Sequence, residues 1–175
     1  MLRYLDESGV SLALPPCQTW TRRGQAQQHR VPTRWGSQGR VNLIGTLRMD
    51  DDEHLEYAVI DGSCRADVVV GYLDALAAQA EADGTPTVVV LDNAPFHRAR
   101  AVREREPQWR TLGLTLSWLP ASCPHLNRIE NVWKRLKGFL LPRRCYDTVT
   151  ELTDAVLAAF RLLNAEEVQC QLGDT

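Results

Sequence analysis

The sequence predicts one α/β domain built around a mixed five-stranded sheet that is flanked by helices. Along its 175 residues the predicted order is three strands, helix, strand, helix, strand and two helices. The first three strands suit an antiparallel meander, whereas the later strands alternate with helices, as parallel crossovers do. No internal repeat, low-complexity tract or domain boundary is visible, so we predict a single domain over residues 1–175.

The strands are predicted from runs of apolar and β-branched residues bounded by turn formers. They fall at residues 2–14, 41–47, 55–61, 87–91 and 114–120. The first strand is expected to be interrupted near Ser8 and Gly9, and a loop rich in Pro, Gly, Gln and Arg is expected to follow it over 15–40. The second and third strands flank a short acidic segment, which favours a hairpin.

The helices are predicted from apolar residues at a spacing of three and four. They fall at residues 65–82, 99–110, 127–140 and from 148 onward. Gly84 is expected to end the first helix, because glycine readily takes the left-handed conformation found there. Thr148 and Glu151 form a capping box that is expected to start the last helix.

Composition excludes several classes of protein. No apolar run is long enough to span a membrane, and the first residues lack the apolar region of a signal peptide. Five cysteines without a CxxC pair argue against both a disulfide framework and a zinc ribbon. We therefore predict a cytoplasmic protein with reduced thiols and no membrane partner.

Charge is unevenly distributed along a chain whose net charge is only −2. No acidic residue occurs between Glu7 and Asp50, and a second basic stretch over 128–144 is opposed only by Glu130. The arginines between Glu7 and Asp50 are Arg22, Arg23, Arg30, Arg34, Arg40 and Arg48. This polarity suits a polyanion bound on one face, and the alternative is an ordinary solvated surface.

Three carboxylates stand out by their predicted positions. Asp6 lies within the first strand, Asp92 at the carboxyl end of the fourth, and Glu130 in the first turn of a later helix. The carboxyl ends of strands are where ligands collect in open α/β sheets, although aspartate also commonly begins a turn. Brought together, the three would repel one another, and Mg²⁺ or Mn²⁺ would neutralise them with the oxygen ligands these ions prefer.

Two of these carboxylates also have ordinary structural explanations. Asp6 could lie on an edge strand with its side chain in water, which would leave the neighbouring Glu7 as the functional residue. Glu130 could complete a helix cap begun by Asn127, or it could pair with Lys134 one turn later. Spacing alone does not choose between these explanations and a metal site.

Four segments carry a resemblance to a known family: LDES (5–8), TWTRRGQ (19–25), VVVLDNAPFH (88–97) and LPASCPHLNRIENVWKRLK (119–137). Together they resemble the catalytic domain of DDE transposases, nearest to the bacterial insertion-sequence branch of the mariner superfamily. That branch typically has Asp-Glu on the first strand, Asp-Asn-Ala-x-x-His after the fourth, and Leu-Asn-x-Ile-Glu-x-x-Trp opening a late helix. The resemblance runs over nearly the whole chain in the right order.

The resemblance implies a ribonuclease-H-like fold and a metal-dependent mechanism. Asp6, Asp92 and Glu130 would hold two Mg²⁺ or Mn²⁺ ions roughly 4 Å apart, one activating the nucleophile and the other stabilising the leaving oxygen. Water would cleave a phosphodiester at the end of a mobile element. The freed 3′-hydroxyl would then attack target DNA, which completes strand transfer in DNA transposition.

The same resemblance makes DNA the expected partner. Lys134 and Lys137 are expected to steady DNA near the metal ions, and His97 either contacts phosphate or water or stabilises its own turn. Arginines of the long loop are expected to contact phosphates without reading sequence. They are Arg22, Arg23, Arg30 and Arg34.

The chain departs from the family pattern in several ways. Arg128 replaces the usual proline, residues 122–125 (SCPH) replace a more common Tyr-Ser-Pro-acidic run, and Asp92 and Glu130 are separated by 37 residues, which is wider than the family pattern. Because only five residues precede Asp6, we expect the helix-turn-helix DNA-binding region of the family to be absent from this chain. We expect a homodimeric catalytic half in the bacterial cytoplasm, nucleoid-associated when bound to DNA, whose DNA-binding part is encoded separately. The alternatives are an inert or truncated remnant and another ribonuclease-H-like nuclease.

Overall fold

The computed structural model describes residues 1–13, 22–24, 39–50, 53–121, 123–142, 144–163 and 165–170. Within these residues, six strands form one sheet in the order β5-β4-β1-β2-β3-β6. The strands are β1 Leu2–Ser11, β2 Arg40–Met49, β3 His54–Ile60, β4 Thr87–Leu91, β5 Leu114–Trp118 and β6 Glu166–Glu167. The sheet therefore places β1 at its centre, between β4 and β2.

The sheet is mixed, as predicted. β1, β2 and β3 form an antiparallel meander, and β4 and β5 continue the sheet in parallel on the other side of β1. The sixth strand, β6, pairs in parallel with β3 and was not predicted, because two residues are too few to show a periodicity. The predicted interruption of the first strand is wrong, since the ladder with β2 runs without a break through Ser8 and Gly9.

The helices lie close to their predicted positions. They are α1 Ala66–Asp83, α2 Arg100–Thr111, α3 Ile129–Arg135 and α4 Val149–Leu162, and a π-helical turn, Leu136–Leu140, extends α3. Gly84 ends α1 in the left-handed conformation at φ 61°, and Thr148 Oγ1 accepts a hydrogen bond from the Glu151 N–H at 3.1 Å, so both predicted helix limits are confirmed. None of the helices in the described residues is long and apolar enough to cross a membrane.

Two apolar cores lie on opposite faces of the sheet. Leu5 belongs to the core beneath α1 and α2, whereas its neighbour Tyr4 packs against the core beneath α3 and α4. Leu43 and Ile44 of β2 divide between the two cores in the same way. This alternation follows from the strand geometry, in which successive side chains point to opposite faces. The face of each residue of β1 is thereby fixed.

α3 lies unusually close to the sheet at one point. The ring of Trp133, which is 3% exposed, covers Gly45 of β2, and a Cβ at Gly45 would meet the ring at 3.0 Å. Gly45 is the residue paired with Asp6 in the β1–β2 ladder. The missing side chain at Gly45 therefore lets the helix that carries Glu130 approach the sheet beside Asp6.

Candidate active site

Asp6 lies on the central strand of the sheet and faces α3. Its partner Gly45 lies under Trp133, and its neighbours Leu5 and Glu7 point to the opposite face. The edge-strand explanation of Asp6 is therefore wrong, because β1 is paired on both sides. Since Asp6, not Glu7, faces the helix that carries Glu130, the structure favours Asp6 as the member of the carboxylate group.

Asp92 lies beside Asp6 at the end of β4. The parallel ladder pairs Tyr4 with Val90, and continuing this register by two residues brings Asp6 next to Asp92. Asp92 Oδ1 accepts a hydrogen bond from the Ala94 N–H at 2.9 Å, so the residue does form a turn. Its side chain remains 49% exposed, which leaves it accessible at the rim of the sheet.

His97 fixes the orientation of the Asp92 side chain through a hydrogen bond. Its Nδ1 lies 2.8 Å from Asp92 Oδ1 and its Nε2 lies 2.7 Å from Glu7 Oε1, and the ring is completely buried. Burial opposes the charged imidazolium, but the hydrogen bonds and charges of Glu7 and Asp92 outweigh it and raise the pKa of His97. In this position the ring offers no surface to DNA, and its contacts are those of a turn-stabilising histidine.

Glu130 is brought to the site by the start of α3. The Asn127 side chain does not cap this helix; its Nδ2 donates to the Leu5 carbonyl oxygen at 3.0 Å and ties the start of α3 to β1. Among the described residues Glu130 forms no ion pair with Lys134. The cap and ion-pair explanations of Glu130 are therefore both wrong. Because Leu5 is the residue before Asp6, the Asn127 hydrogen bond holds the start of α3 beside Asp6.

The grouped carboxylates perturb one another. Burial, followed by the charges of Glu7 and Glu130 and more weakly of Asp92, raises the pKa of Asp6 to about 7. Within the described residues, no three His, Cys, Asp or Glu side chains are already arranged as a metal-binding group. The donor chemistry nevertheless fits a hard divalent cation, which would relieve this repulsion through carboxylate oxygens.

The cationic candidates differ in how close they lie to the carboxylates. Lys137, in the π-helical turn, has its pKa lowered by burial and by the nearby Arg40 charge, while Glu130 and Asp6 act in the opposite direction. Lys134 is exposed on α3, and Arg22 and Arg23 are exposed in a short described segment. Arg30 and Arg34 lie outside the described residues. Of the predicted cations, the structure brings Lys137 to the acidic group.

Sequence reasoning did not anticipate two contacts that shape the site. Asn127 was considered only as a cap, although its bond to the Leu5 carbonyl spans 122 positions of the chain. Glu7 was considered only as a substitute for Asp6, whereas it holds His97. Asp92 and His97 are only five positions apart, so a contact between them is local. Nothing in the sequence indicates that His97 also contacts Glu7, which is 90 positions away.

Asp6→Asn should stabilise the metal-free protein at alkaline pH. The folded-state pKa of about 7 exceeds the ordinary 3.8, so the stability associated with neutral Asp6 is complete below pH 3.8 and is lost as pH rises through 7. At pH 8.5 the substitution should therefore raise the free energy of unfolding by about 2 kcal/mol, discounted from the full shift for partial solvent screening. Urea unfolding in EDTA at pH 8.5 and pH 5 measures this, and the gain should shrink at pH 5.

The matched control is Asp83→Asn at the exposed end of α1. It should change stability by less than about 0.5 kcal/mol at either pH. An equal gain for Asp6→Asn at both pH values would contradict electrostatic repulsion as the cause.

The sequence and the fold were compared with known proteins. The sequence profile of the family described as DDE superfamily endonuclease matches residues 1–153. The uncharacterized protein y4pE/y4sA of Sinorhizobium fredii (strain NBRC 101917 / NGR234) is 28% identical over 81 residues, which cover 46% of this chain and 56% of that protein. The family match thus extends over most of the chain and includes all three candidate carboxylates.

The fold is similar to that of Mos1 transposase. The Mos1 paired-end complex with left transposon end aligns at a TM-score of 0.61 and 17% identity, over 93% of this chain and 51% of that one. The mariner Mos1 paired end complex with Mg aligns at 0.63 and 16% identity, over 92% and 48% of the two chains. The complex with Mn aligns at 0.61 and 16% identity, over 93% and 52%. This chain therefore spans about half the length of the transposase chains that it matches.

Proposed function

The chain belongs to the DDE superfamily of endonucleases, and we propose that it is the catalytic domain of a mariner-like transposase. It would cut DNA strands at the ends of a mobile element and join the freed 3′-hydroxyl to target DNA. The observation that supports this most is that Asp6 lies beside the end of β4, where Asp92 follows, and that the charges of both Glu130 and Asp92 act on it. Phosphoryl transfer to DNA is the chemistry for which such a carboxylate group is suited.

The three carboxylates would hold Mg²⁺ or Mn²⁺. When bound, two divalent cations supply activation of the attacking oxygen and stabilisation of charge on the leaving oxygen. The Mos1 complexes described with Mg and with Mn support this choice. Asp6, Asp92 and Glu130 sit on a central strand, a strand end and a tethered helix, so their positions are set by rigid elements.

The remaining residues of the site would position the ligands. His97 and the Ala94 N–H both bond Asp92 Oδ1, so that oxygen is held and the rest of the carboxylate faces the rim. Asn127 holds the start of α3 against β1 and thereby sets the distance between Glu130 and Asp6. Ligands held in this way bind metal more tightly, because less order has to be imposed on binding.

DNA would lie along the basic side of the site. Lys137 and Lys134 would contact phosphates near the carboxylates, and the arginines at positions 22, 23, 30 and 34 would contact the backbone further away. We propose a homodimer that works on paired element ends at the nucleoid of the bacterial cytoplasm. A DNA-binding part outside this domain would supply recognition of the ends.

Binding of Mn²⁺ measured by calorimetry tests this function. The protein should bind Mn²⁺, and Asp92→Asn should weaken binding at least about tenfold, because one of three carboxylate ligands becomes an amide. Asp83→Asn, which removes an exposed carboxylate elsewhere, should bind as the wild type does. The titration is repeated with a DNA duplex that carries a recessed 3′ end, because substrate phosphate completes many such sites.

Two results would contradict the proposal. One is Mn²⁺ affinity that Asp92→Asn leaves unchanged, which would place the ion elsewhere. The other is a lack of binding both with and without the DNA duplex, which would favour an inert remnant of a transposase.

A further inference from the structure

Asn127 is buried beside the candidate active site with only one end of its amide bonded. The residue is 4% exposed, and its Nδ2 donates to the Leu5 carbonyl oxygen at 3.0 Å. Its Oδ1 is also shielded from solvent, yet no described residue donates a hydrogen bond to it. Buried carbonyl oxygens are nearly always paired, so an unpaired one requires a ligand or another physical explanation.

The hydrogen bond to Leu5 fixes the orientation of the Asn127 amide. A backbone carbonyl only accepts, so the amide nitrogen has to face Leu5 and the amide oxygen has to face away from it. Asn93, by contrast, uses both ends of its amide. Its Nδ2 donates to the Leu119 carbonyl at 2.6 Å, and its Oδ1 accepts from Arg98 Nε at 3.0 Å. The unpaired oxygen therefore distinguishes Asn127 from the other asparagine near the end of β4.

The backbone of β1 locates the Asn127 amide between two strands. The Met1 carbonyl accepts from the Val88 N–H of β4 at 2.8 Å, and every second residue of β1 turns its carbonyl toward β4 in the same way. Continued by four residues along each strand, this pattern would pair the Leu5 carbonyl with the Asp92 N–H. The β1–β4 pairing ends two positions before Asp92, and the Leu5 carbonyl accepts from Asn127 instead. The amide therefore lies where β1 and the end of β4 separate.

Three carboxylates belong to the segments that meet at this amide. Asp6 follows Leu5 on β1, and Asp92 follows the last residue of β4. The Glu130 N–H bonds the Asn127 backbone carbonyl at 3.2 Å, so Glu130 is one helical turn away. Ionised carboxylates accept hydrogen bonds but do not donate them, so they leave the amide oxygen unpaired. A divalent cation pairs with it, because Mg²⁺ and Mn²⁺ take carbonyl oxygens as well as carboxylates.

We propose that Asn127 Oδ1 is a further ligand of the divalent cations that Asp6, Asp92 and Glu130 would hold. The inference rests on the proposed function, because it adds a residue to the same metal site. The amide would contribute an oxygen without adding charge, and the remaining coordination positions would be left to water and substrate phosphate. One side chain would thus tie α3 to β1 through its nitrogen and hold the cation through its oxygen.

Calorimetry with Mn²⁺ on two variants separates the ligand from the tether. Asn127→Asp keeps an oxygen at this position but loses the N–H donor, whereas Asn127→Leu loses both. Neither variant can donate to the Leu5 carbonyl, so in EDTA both should unfold at lower urea concentrations than the wild type. Asn127→Leu should bind Mn²⁺ at least about tenfold more weakly than the wild type. Asn127→Asp should bind it at least as tightly, because a charged oxygen replaces a neutral one.

Asn131→Asp is the matched control for the added charge, since Asn131 is exposed on α3 one position after Glu130. It should change Mn²⁺ affinity by less than about threefold, because solvent and salt screen an exposed charge. Thermal melting checks that each variant is folded at the temperature of the titration. Equal loss of affinity in Asn127→Asp and Asn127→Leu would overturn the inference, because loss of the tether would then explain both. Wild-type affinity in folded Asn127→Leu would also overturn it.

Nicking of supercoiled plasmid in Mn²⁺ keeps this inference distinct from the proposed function. If the wild type binds Mn²⁺ and nicks plasmid while Asn127→Leu binds Mn²⁺ equally well, the inference alone is wrong. If Mn²⁺ affinity depends on Asn127 as expected but the wild type does not nick, the ligand stands and the proposed function is wrong. A wild type that binds no Mn²⁺, with or without DNA, would overturn both.

Discussion

Asp6→Asn, Asp92→Asn and Glu130→Gln are each expected to abolish DNA cleavage while the protein remains folded. Each change replaces one carboxylate oxygen with an amide nitrogen, which neither neutralises a divalent cation nor accepts it as a ligand. Nicking of supercoiled plasmid in Mn²⁺ should fall on the order of 10³-fold or more in every case, because groups that act as a unit lose most of their effect together. Circular dichroism and thermal melting should show that folding survives.

Glu7→Gln is the matched control for Asp6→Asn. It removes a carboxylate from the adjacent position, but Glu7 points to the opposite face, where it contacts His97. Its loss should therefore reduce nicking only about 10- to 100-fold, as changes in residues that support ligands usually do. A variant of Asp6 that nicks normally, combined with an inactive Glu7→Gln, would reverse the assignment of the two residues.

The choice between Asp6 and Glu7 shows where sequence reasoning reached its limit. A run of apolar residues identified the strand, but the face of each residue depends on the partner strands, because a shift by one residue exchanges the faces. The ladder that pairs Asp6 with Gly45, under Trp133, shows that Asp6 and not Glu7 lies on the face of α3. Such a pairing joins distant segments and leaves no local trace in the sequence.

Structural features that depend on only one or two neighbouring residues, in contrast, were predicted from the sequence. Gly84 as a helix end and Thr148 as a helix start depend on one or two residues, and both were predicted correctly. Gly9 was misread as an interruption, because a glycine in a strand has the same local appearance whether the strand breaks or a side chain such as Arg40 lies across it. The hydrogen bond from Asn127 to Leu5 joins residues 122 positions apart, so no local sequence pattern could predict it. The same separation is what allows it to tie α3 to β1.

A buried polar network beneath α1 holds the strands that carry the site. Arg3 and Glu56 form an ion pair whose side chains are 3% and 1% exposed. Glu56 Oε2 also accepts from Thr46 Oγ1 at 3.1 Å, and the Tyr72 hydroxyl donates to the Glu56 backbone carbonyl at 3.2 Å. These residues belong to β1, β2, β3 and α1, so the network fixes neighbouring strands relative to one another.

Glu56→Gln is expected to destabilise the protein by about 3 kcal/mol, because breaking a buried pair leaves the remaining charge without compensation. Urea unfolding at pH 7 measures the change. The matched control is Glu53→Gln, which removes a pair with Arg128 whose two side chains are each 55% exposed. The control should cost no more than about 1 kcal/mol, as solvent-exposed pairs do. Equal effects for the two variants would contradict the role of burial.

The Arg3–Glu56 network should affect the geometry of the candidate site even in a variant whose stability is unchanged. Replacing both charges with apolar groups, as in Arg3→Met with Glu56→Leu, commonly restores or exceeds the original stability, because neither ion then has to be desolvated. Arg3, however, lies three residues before Asp6 on the same strand and helps fix the pairing of β1 with its neighbours. If buried ions specify strand register here, the double variant should unfold at wild-type urea concentrations yet nick plasmid at least about tenfold more slowly. Wild-type nicking by a stable double variant would show instead that apolar burial alone sets the register of the catalytic strand.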